Sequence, residues 1–199
     1  MIMTRVLTGA FTLALLASGA ALAQDAAAPA APAAPPRPDI KTVGDWFVRC
    51  YPVQSPSPCD VFQEQDALAS RQRILSLSFA YVPSADRHMM QITVPLDIAI
   101  PKGVVIQTDS YTSPALHYRM CTRDGCFVQM AMENSAVEAI AKSGPDAKIN
   151  IVGDDGKSYA LKFSLKGFAA AHDDMVAQAR AKAKAPAKPA DAAAAAATP

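Results

Sequence analysis

Residues 115–132 read ALHYRMCTRDGCFVQMAM, and the reading of the six at their centre, Cys121-Thr-Arg-Asp-Gly-Cys126, decides the fold. β-type runs flank this centre on both sides. Asp124-Gly125 is strong turn chemistry, because glycine reaches positive φ without steric cost. A turn over residues 122–125 makes Cys121 and Cys126 direct cross-strand partners. Cβ atoms in such pairs lie about 4.5–5.5 Å apart, within reach of a disulfide. The stretch therefore predicts a hairpin clasped at its tip. In that register Met120 faces Phe127, Tyr118 faces Gln129 and Leu116 faces Ala131, a largely apolar face. The other face carries His117 with Met130 and Arg119 with Val128. His117 and Arg119 are candidate interaction residues.

The two remaining cysteines are Cys50 and Cys59. Four cysteines allow three pairings. Cys50–Cys59 and Cys121–Cys126 are favoured because both are local and a turn is built for the second. A four-cysteine zinc site is set against this by the C-x8-C and C-x4-C spacings, since such sites use tight C-x2-C pairs. No C-x-x-C motif is present, which argues against a thiol oxidoreductase.

Paired cysteines belong in an oxidising compartment, and the N-terminus agrees. Arg5 supplies a positive start, Val6 to Leu16 a short apolar run, and Ala21-Leu22-Ala23 a small-x-small cleavage pattern. Residues 1–23 read as a secretory signal peptide cleaved before Gln24, with no transmembrane segment left after cleavage. No cysteine lies near that point, so an N-terminal lipid anchor is excluded. Residues 24–38, QDAAAPAAPAAPPRP, and 182–199, KAKAPAKPADAAAAAATP, are Ala/Pro-rich. Neither can bury enough apolar surface to fold, so both read as disordered spacers, the second with added lysines. Without the signal the chain holds 18 basic and 18 acidic residues. That balance argues against nucleic acid or another polyanion as partner.

Residues 39–181 are long enough for one sizeable core. Trp46, Val48 and Cys50 share a face of a strand over residues 45–50. Three prolines in the loop that follows exclude a central ladder. A short strand runs from Val61 to Gln65. Leu75, Leu77, Phe79 and Tyr81 alternate along Arg73 to Val82, and Met90, Ile92 and Val94 along His88 to Val94, which predicts a hairpin across Pro83-Ser84-Ala85-Asp86. Gly103 to Asp109 gives a strand with Val104 and Ile106 inward. Residues 134–143 form a short helix, with Ser135 and Glu138 as its capping box. Lys148 to Leu165 is a hairpin turned at Asp154-Asp155-Gly156, with Tyr159, Leu161, Phe163 and Leu165 on one face. A closing helix spans residues 167–181, its stripe made by Phe168, Met175, Val176 and Ala179. The fold class is mainly β: an antiparallel β-sandwich or partly open barrel with one short helix and a C-terminal helix.

Five motifs then stand in order: Gly44-Asp45-Trp46 with Cys50 and Cys59; Ile92-Thr93-Val94-Pro95-Leu96; Pro101-Lys102-Gly103-Val104; Cys121 with Gly125-Cys126; and Ser164-Leu165-Lys166-Gly167-Phe168. In that order and spacing they resemble the invasion-associated locus B protein family, over residues 43–179. The resemblance implies an exported envelope protein of Gram-negative bacteria, mostly alphaproteobacteria, with no established enzymatic activity or cofactor. In the founding pathogen such a protein is linked to entry into red blood cells.

A catalytic or metal constellation is not evident. His88, His117 and His172 have no ligand partner at helical or strand spacing. His172-Asp173-Asp174 could hold a cation, but reads as a solvated helix face. Asp154-Asp155-Gly156 lacks the alternating donors and distal glutamate of a calcium loop. Glu64 and Asp66 lie beside Arg71 and Arg73, as surface ion pairs do. There is no G-x-S-x-G elbow and no phosphate loop. Met89, Met90, Met120, Met130 and Met132 could bind copper through sulfur, yet serve packing or an interface more simply. Trp46 either fills the core near Cys50–Cys59 or anchors a partner, so it joins His117 and Arg119 as a candidate interaction residue. The expectation is a non-enzymatic, cofactor-free protein of the periplasm, outer surface or medium that binds a protein or envelope component. A periplasmic chaperone-like factor is the alternative.

Overall fold

A computed structural model describes residues 37–184. The stretch read as a signal peptide, almost all of that read as the first spacer and most of that read as the tail lie outside the described residues. Ten strands and two α-helices follow in the order β1 (Asp39–Val43), β2 (Trp46–Cys50), β3 (Cys59–Asp66), β4 (Arg73–Val82), β5 (Arg87–Val94), β6 (Val105–Gln107), β7 (Met120–Thr122), β8 (Gly125–Met132), α1 (Asn134–Ala141), β9 (Asp146–Val152), β10 (Ser158–Ser164) and α2 (Phe168–Lys184). Seven strands make one antiparallel sheet in the order β1-β2-β3-β4-β5-β8-β7, and three make a second, β10-β9-β6. The architecture is two sheets with two helices, not a closed barrel.

Alternation builds the core as the sequence predicts. Leu75, Leu77, Phe79 and Tyr81 on β4 are buried, as are Met90, Ile92 and Val94 on β5 and Val48 and Cys50 on β2. From the second sheet come Ile106, Ile149, Ile151 and Phe163. Helix α2 lies on β2, β3 and β4, burying Phe168, Ala171, Met175 and Ala179. It runs to Lys184, into the stretch read as tail. Strand β1 has no counterpart in the sequence reading, because none of its five side chains is buried and so no pattern marks it.

Three expectations need correction. The clasped hairpin is shorter than predicted: Met120 pairs with Phe127, Cys121 with Cys126 and Thr122 with Gly125, and the ladder ends there. Tyr118 does not face Gln129, nor Leu116 Ala131, and the pairs His117–Met130 and Arg119–Val128 do not form. Leu116 instead exchanges both backbone hydrogen bonds with Val104, at 2.9 and 2.7 Å. The chain before Met120 thus crosses to the second sheet. Gly103 permits this, since a Cβ there would stand 2.6 Å from the Leu116 carbonyl oxygen. The capping box of α1 is absent too. Glu133 is the N-cap and makes no side-chain cap bond. Lastly, Tyr159 is 44% exposed although its strand partners Phe163 and Leu165 are buried.

Candidate functional site

The family-like motifs at the two ends of the domain meet in space. The Trp46 indole N–H donates to the Ser164 carbonyl at 2.9 Å, and the Asp45 N–H donates to Lys166 at 3.0 Å. Gln63, buried between them, donates through Nε2 to the Asp45 and Ser164 carbonyls and accepts the Ser164 N–H. Gly44 and Gly167 face each other with φ of +61° and +84°. A Cβ on Gly44 would lie 2.4 Å from the Lys166 oxygen, and one on Gly167 2.6 Å from the Val43 oxygen. The Trp46, Phe79 and Phe168 rings cluster at 4.8–6.1 Å between centroids. Trp46 is 0% exposed, so the structure places it in the core and leaves it no surface to offer as an anchor. This is a structural junction. It joins the start of β2 to the end of β10.

The cysteines pair as Cys50–Cys59 and Cys121–Cys126, so none is available for zinc. Two methionines are exposed near the ends of β8, Met120 beside the clasp and Met130 toward the far end. Met120 is 51% exposed and Met130 36%. Met130 helps line a groove of about 200 Å³ with Met90, Tyr111, Pro114, Leu116 and Met132. His117 and Arg119 are exposed on the crossing segment that leads into the hairpin. The Arg119 N–H donates to the Phe127 carbonyl at 2.7 Å, which fixes its backbone on β8. The Tyr118 hydroxyl between them is buried without a hydrogen-bond partner, and burial pushes its pKa up to about 12.

A second gathering is polar and was invisible in the sequence. It lies where the β4–β5 turn, α1 and α2 meet. Tyr81 donates its hydroxyl hydrogen to Asp86 and accepts from Arg180 Nη2 at 2.8 Å. That hydroxyl, helped by Arg180, holds the Asp86 carboxyl below the usual carboxylate range. Asn134, the first residue of α1, donates from Nδ2 to the Asp86 carbonyl at 3.1 Å. Its Oδ1 lies 2.8 Å from His88 Nδ1. His88 Nε2 and His172 Nε2 are 2.8 Å apart, and His172 Nδ1 stands 3.3 Å from Asp173 Oδ1. His88 is 5% exposed. Burial lowers its pKa, against the hydrogen bond it donates to Asn134. His172 comes from the expected solvated helix face, yet it meets a histidine 84 residues away. No spacing rule could have found that pair.

Elsewhere the sequence candidates behave as surface groups. Glu64 pairs with Arg73 at 3.6 Å, both partly exposed. Asp155 caps its own turn, accepting the Lys157 N–H at 3.0 Å. Among the described residues, no three histidine, cysteine or carboxylate side chains cluster as a metal site, and no helix is long and apolar enough to cross a membrane.

Comparison with known proteins agrees with the resemblance. The model of the invasion associated locus B (IalB) protein family matches residues 46–176. Invasion protein B homologs of Brucella abortus, from strain 2308 and from biovar 1 strain 9-941, are each 28% identical over 138 residues, which covers 69% of this chain and 79% of each relative. The crystal structure of invasion associated protein B from Bartonella henselae superposes with a TM-score of 0.60 at 20% identity, covering 70% of this chain and 97% of that one. The latter likeness is one of fold. With the matched segment running from the tryptophan of the junction into helix α2, the chain belongs to the invasion associated locus B family.

Proposed function

We propose that this protein is an exported module of the bacterial envelope that works by binding and carries out no catalysis. Its disulfides and its relatives point to export, and we assign it to the periplasm or the outer surface. The observation that carries the binding reading is the methionine-lined groove at the C-terminal end of β8. Met130 exposes a flexible, polarizable side chain there, with Met90 and Met132 beneath it, and methionine surfaces adapt to partner shapes. Strands β5 and β8 and helix α1 wall this groove, so little ordering cost falls on association. The partner is a protein or envelope component with a complementary apolar element, and His117 and Arg119 supply polar contacts at the rim. A non-catalytic role is supported by the histidine pair: its ring nitrogens are engaged by Asn134, Asp173 or each other, with no hydroxyl or thiol nucleophile among their hydrogen-bond partners.

The test is a crosslinking pull-down from intact cells with the whole exported chain and with a form lacking residues 185–199. Capture of one discrete component by both forms is the expected result. Capture that requires residues 185–199 would move the contact to that segment and its Lys188. Broad capture of many unfolded envelope proteins would favour the chaperone-like alternative.

A further inference from the structure

The polar gathering around His88 has a property that the binding reading does not use. Asn134 donates from Nδ2 to the Asp86 carbonyl, so its Oδ1 is the atom turned to His88 Nδ1 at 2.8 Å. An amide oxygen only accepts, and His88 Nδ1 therefore carries a proton. His88 Nε2 then presents a lone pair. On the other ring, His172 Nδ1 faces the Asp173 carboxylate at 3.3 Å. A carboxylate also accepts, so in the tautomer with its hydrogen on this nitrogen His172 Nε2 presents a second lone pair. The two Nε2 atoms meet at 2.8 Å. With the hydrogen on His172 Nε2 they make an N–H···N bond; in the other tautomer their two lone pairs converge on one point, where a cation fits.

We propose that His88 and His172 form a two-nitrogen site for a borderline divalent cation, Cu2+ above all. Imidazole nitrogens select Cu, Zn, Ni or Fe, and Cu2+ stands highest of these in the order of divalent affinities. Both rings already have the outer partners typical of metal-bound histidine, an amide oxygen and a carboxylate on Nδ1. Metal–nitrogen bonds of about 2.0–2.1 Å place two neighbouring ligand nitrogens roughly 3 Å apart. The pair needs to open by only a few tenths of an ångström. The His172 side chain, 14% exposed, is free on one side to turn by that much and to admit the ion with its remaining water ligands. The scaffold is otherwise rigid. His88 sits within the β4–β5–β8 ladder, and His172 follows Phe168 and Ala171, which are 1% and 0% exposed. Oxygen-seeking Mg2+ and Ca2+ find no suitable donors on these two nitrogens.

Isothermal titration of Cu2+ into the metal-free whole chain tests this, with Mg2+ as the contrasting ion. The expected result is one saturable Cu2+ per chain and none for Mg2+. His172→Ala should weaken Cu2+ binding more than about tenfold, and Asn134→Ala, which removes only the outer partner of His88, by about 10–100-fold. Circular dichroism of His172→Ala, altered at a partly exposed position, confirms that it folds. In NMR spectra of the unsubstituted chain, substoichiometric Cu2+ should broaden the ring signals of His88 and His172 before those of His117. The proposal is overturned if no saturable uptake occurs, if His172→Ala binds Cu2+ as well as the parent chain, or if broadening begins at His117.

Discussion

Two regions tie helix α2 and its neighbours to the large sheet, and they do so in opposite ways. The junction of Gly44-Asp45-Trp46 with Ser164–Phe168 is built from backbone and bulk: glycines at van der Waals contact, an indole, two phenylalanines and one buried glutamine. The gathering of Tyr81, Asp86, His88, Asn134, His172 and Arg180 is built from side-chain hydrogen bonds alone. The first tolerates almost no substitution, because its atoms already touch. The second tolerates many as far as folding goes, because several of its members reach solvent. The motifs that identify the family therefore mark the frame, and the groups with free chemistry lie elsewhere.

The sharpest way to break this comparison is at the glycines. Gly44→Ala puts a Cβ 2.4 Å from a backbone oxygen at φ +61°. It should cost more than about 3 kcal/mol or prevent folding, as read by urea denaturation. Trp46→Ala should follow, losing about 3–5 kcal/mol from a fully buried ring. Cys121→Ala with Cys126→Ala should cost about 2–3 kcal/mol by the loop-entropy account, and thermal unfolding in oxidising buffer would show it.

Smaller effects sharpen the contrast at the other region. His88 has its pKa lowered in the folded chain from the ordinary 6.5. Below that value the unfolded chain binds a proton more readily than the folded one, so stability is fully present above about pH 6.5 and declines as pH falls through the lowered value. Tyr81, Asp86, Asn134, His172 and Arg180 surround it and set the size of the decline. Urea midpoints between pH 7.5 and 5.5 in chelator-treated buffer should fall for the parent chain and stay flatter for His88→Gln. A decline of equal steepness in both would assign the pH response to other groups. Smallest of all, Met120→Ser changes a half-exposed side chain and should move stability by no more than about 0.5 kcal/mol.

The same contrast explains what the sequence could reveal. Strands β4 and β5 were legible because ten and eight residues alternate against one core. The disulfides were legible because each closes a short local loop. The junction was legible as two motifs, though not as a contact, because its residues are contiguous within each motif. Strand β1 was hidden by having no buried side chain, and the true path of Leu116 by a choice between two ladder partners that local pattern does not rank. The His88–His172 pair was hidden because its members come from distant elements and neither carries a spacing signal. Asn134 was read past for a related reason. Its neighbours Ser135 and Glu138 offered a capping box, while its own side chain was needed by His88.

The most direct test of where the function lies compares intact-cell crosslinking by the parent chain with that by a Met130→Glu variant whose unfolding midpoint is first shown to match the parent's. The account predicts a discrete crosslinked adduct for the parent and its loss in the variant. An adduct of equal yield in both would contradict the assignment of binding to the methionine-lined groove at the end of β8.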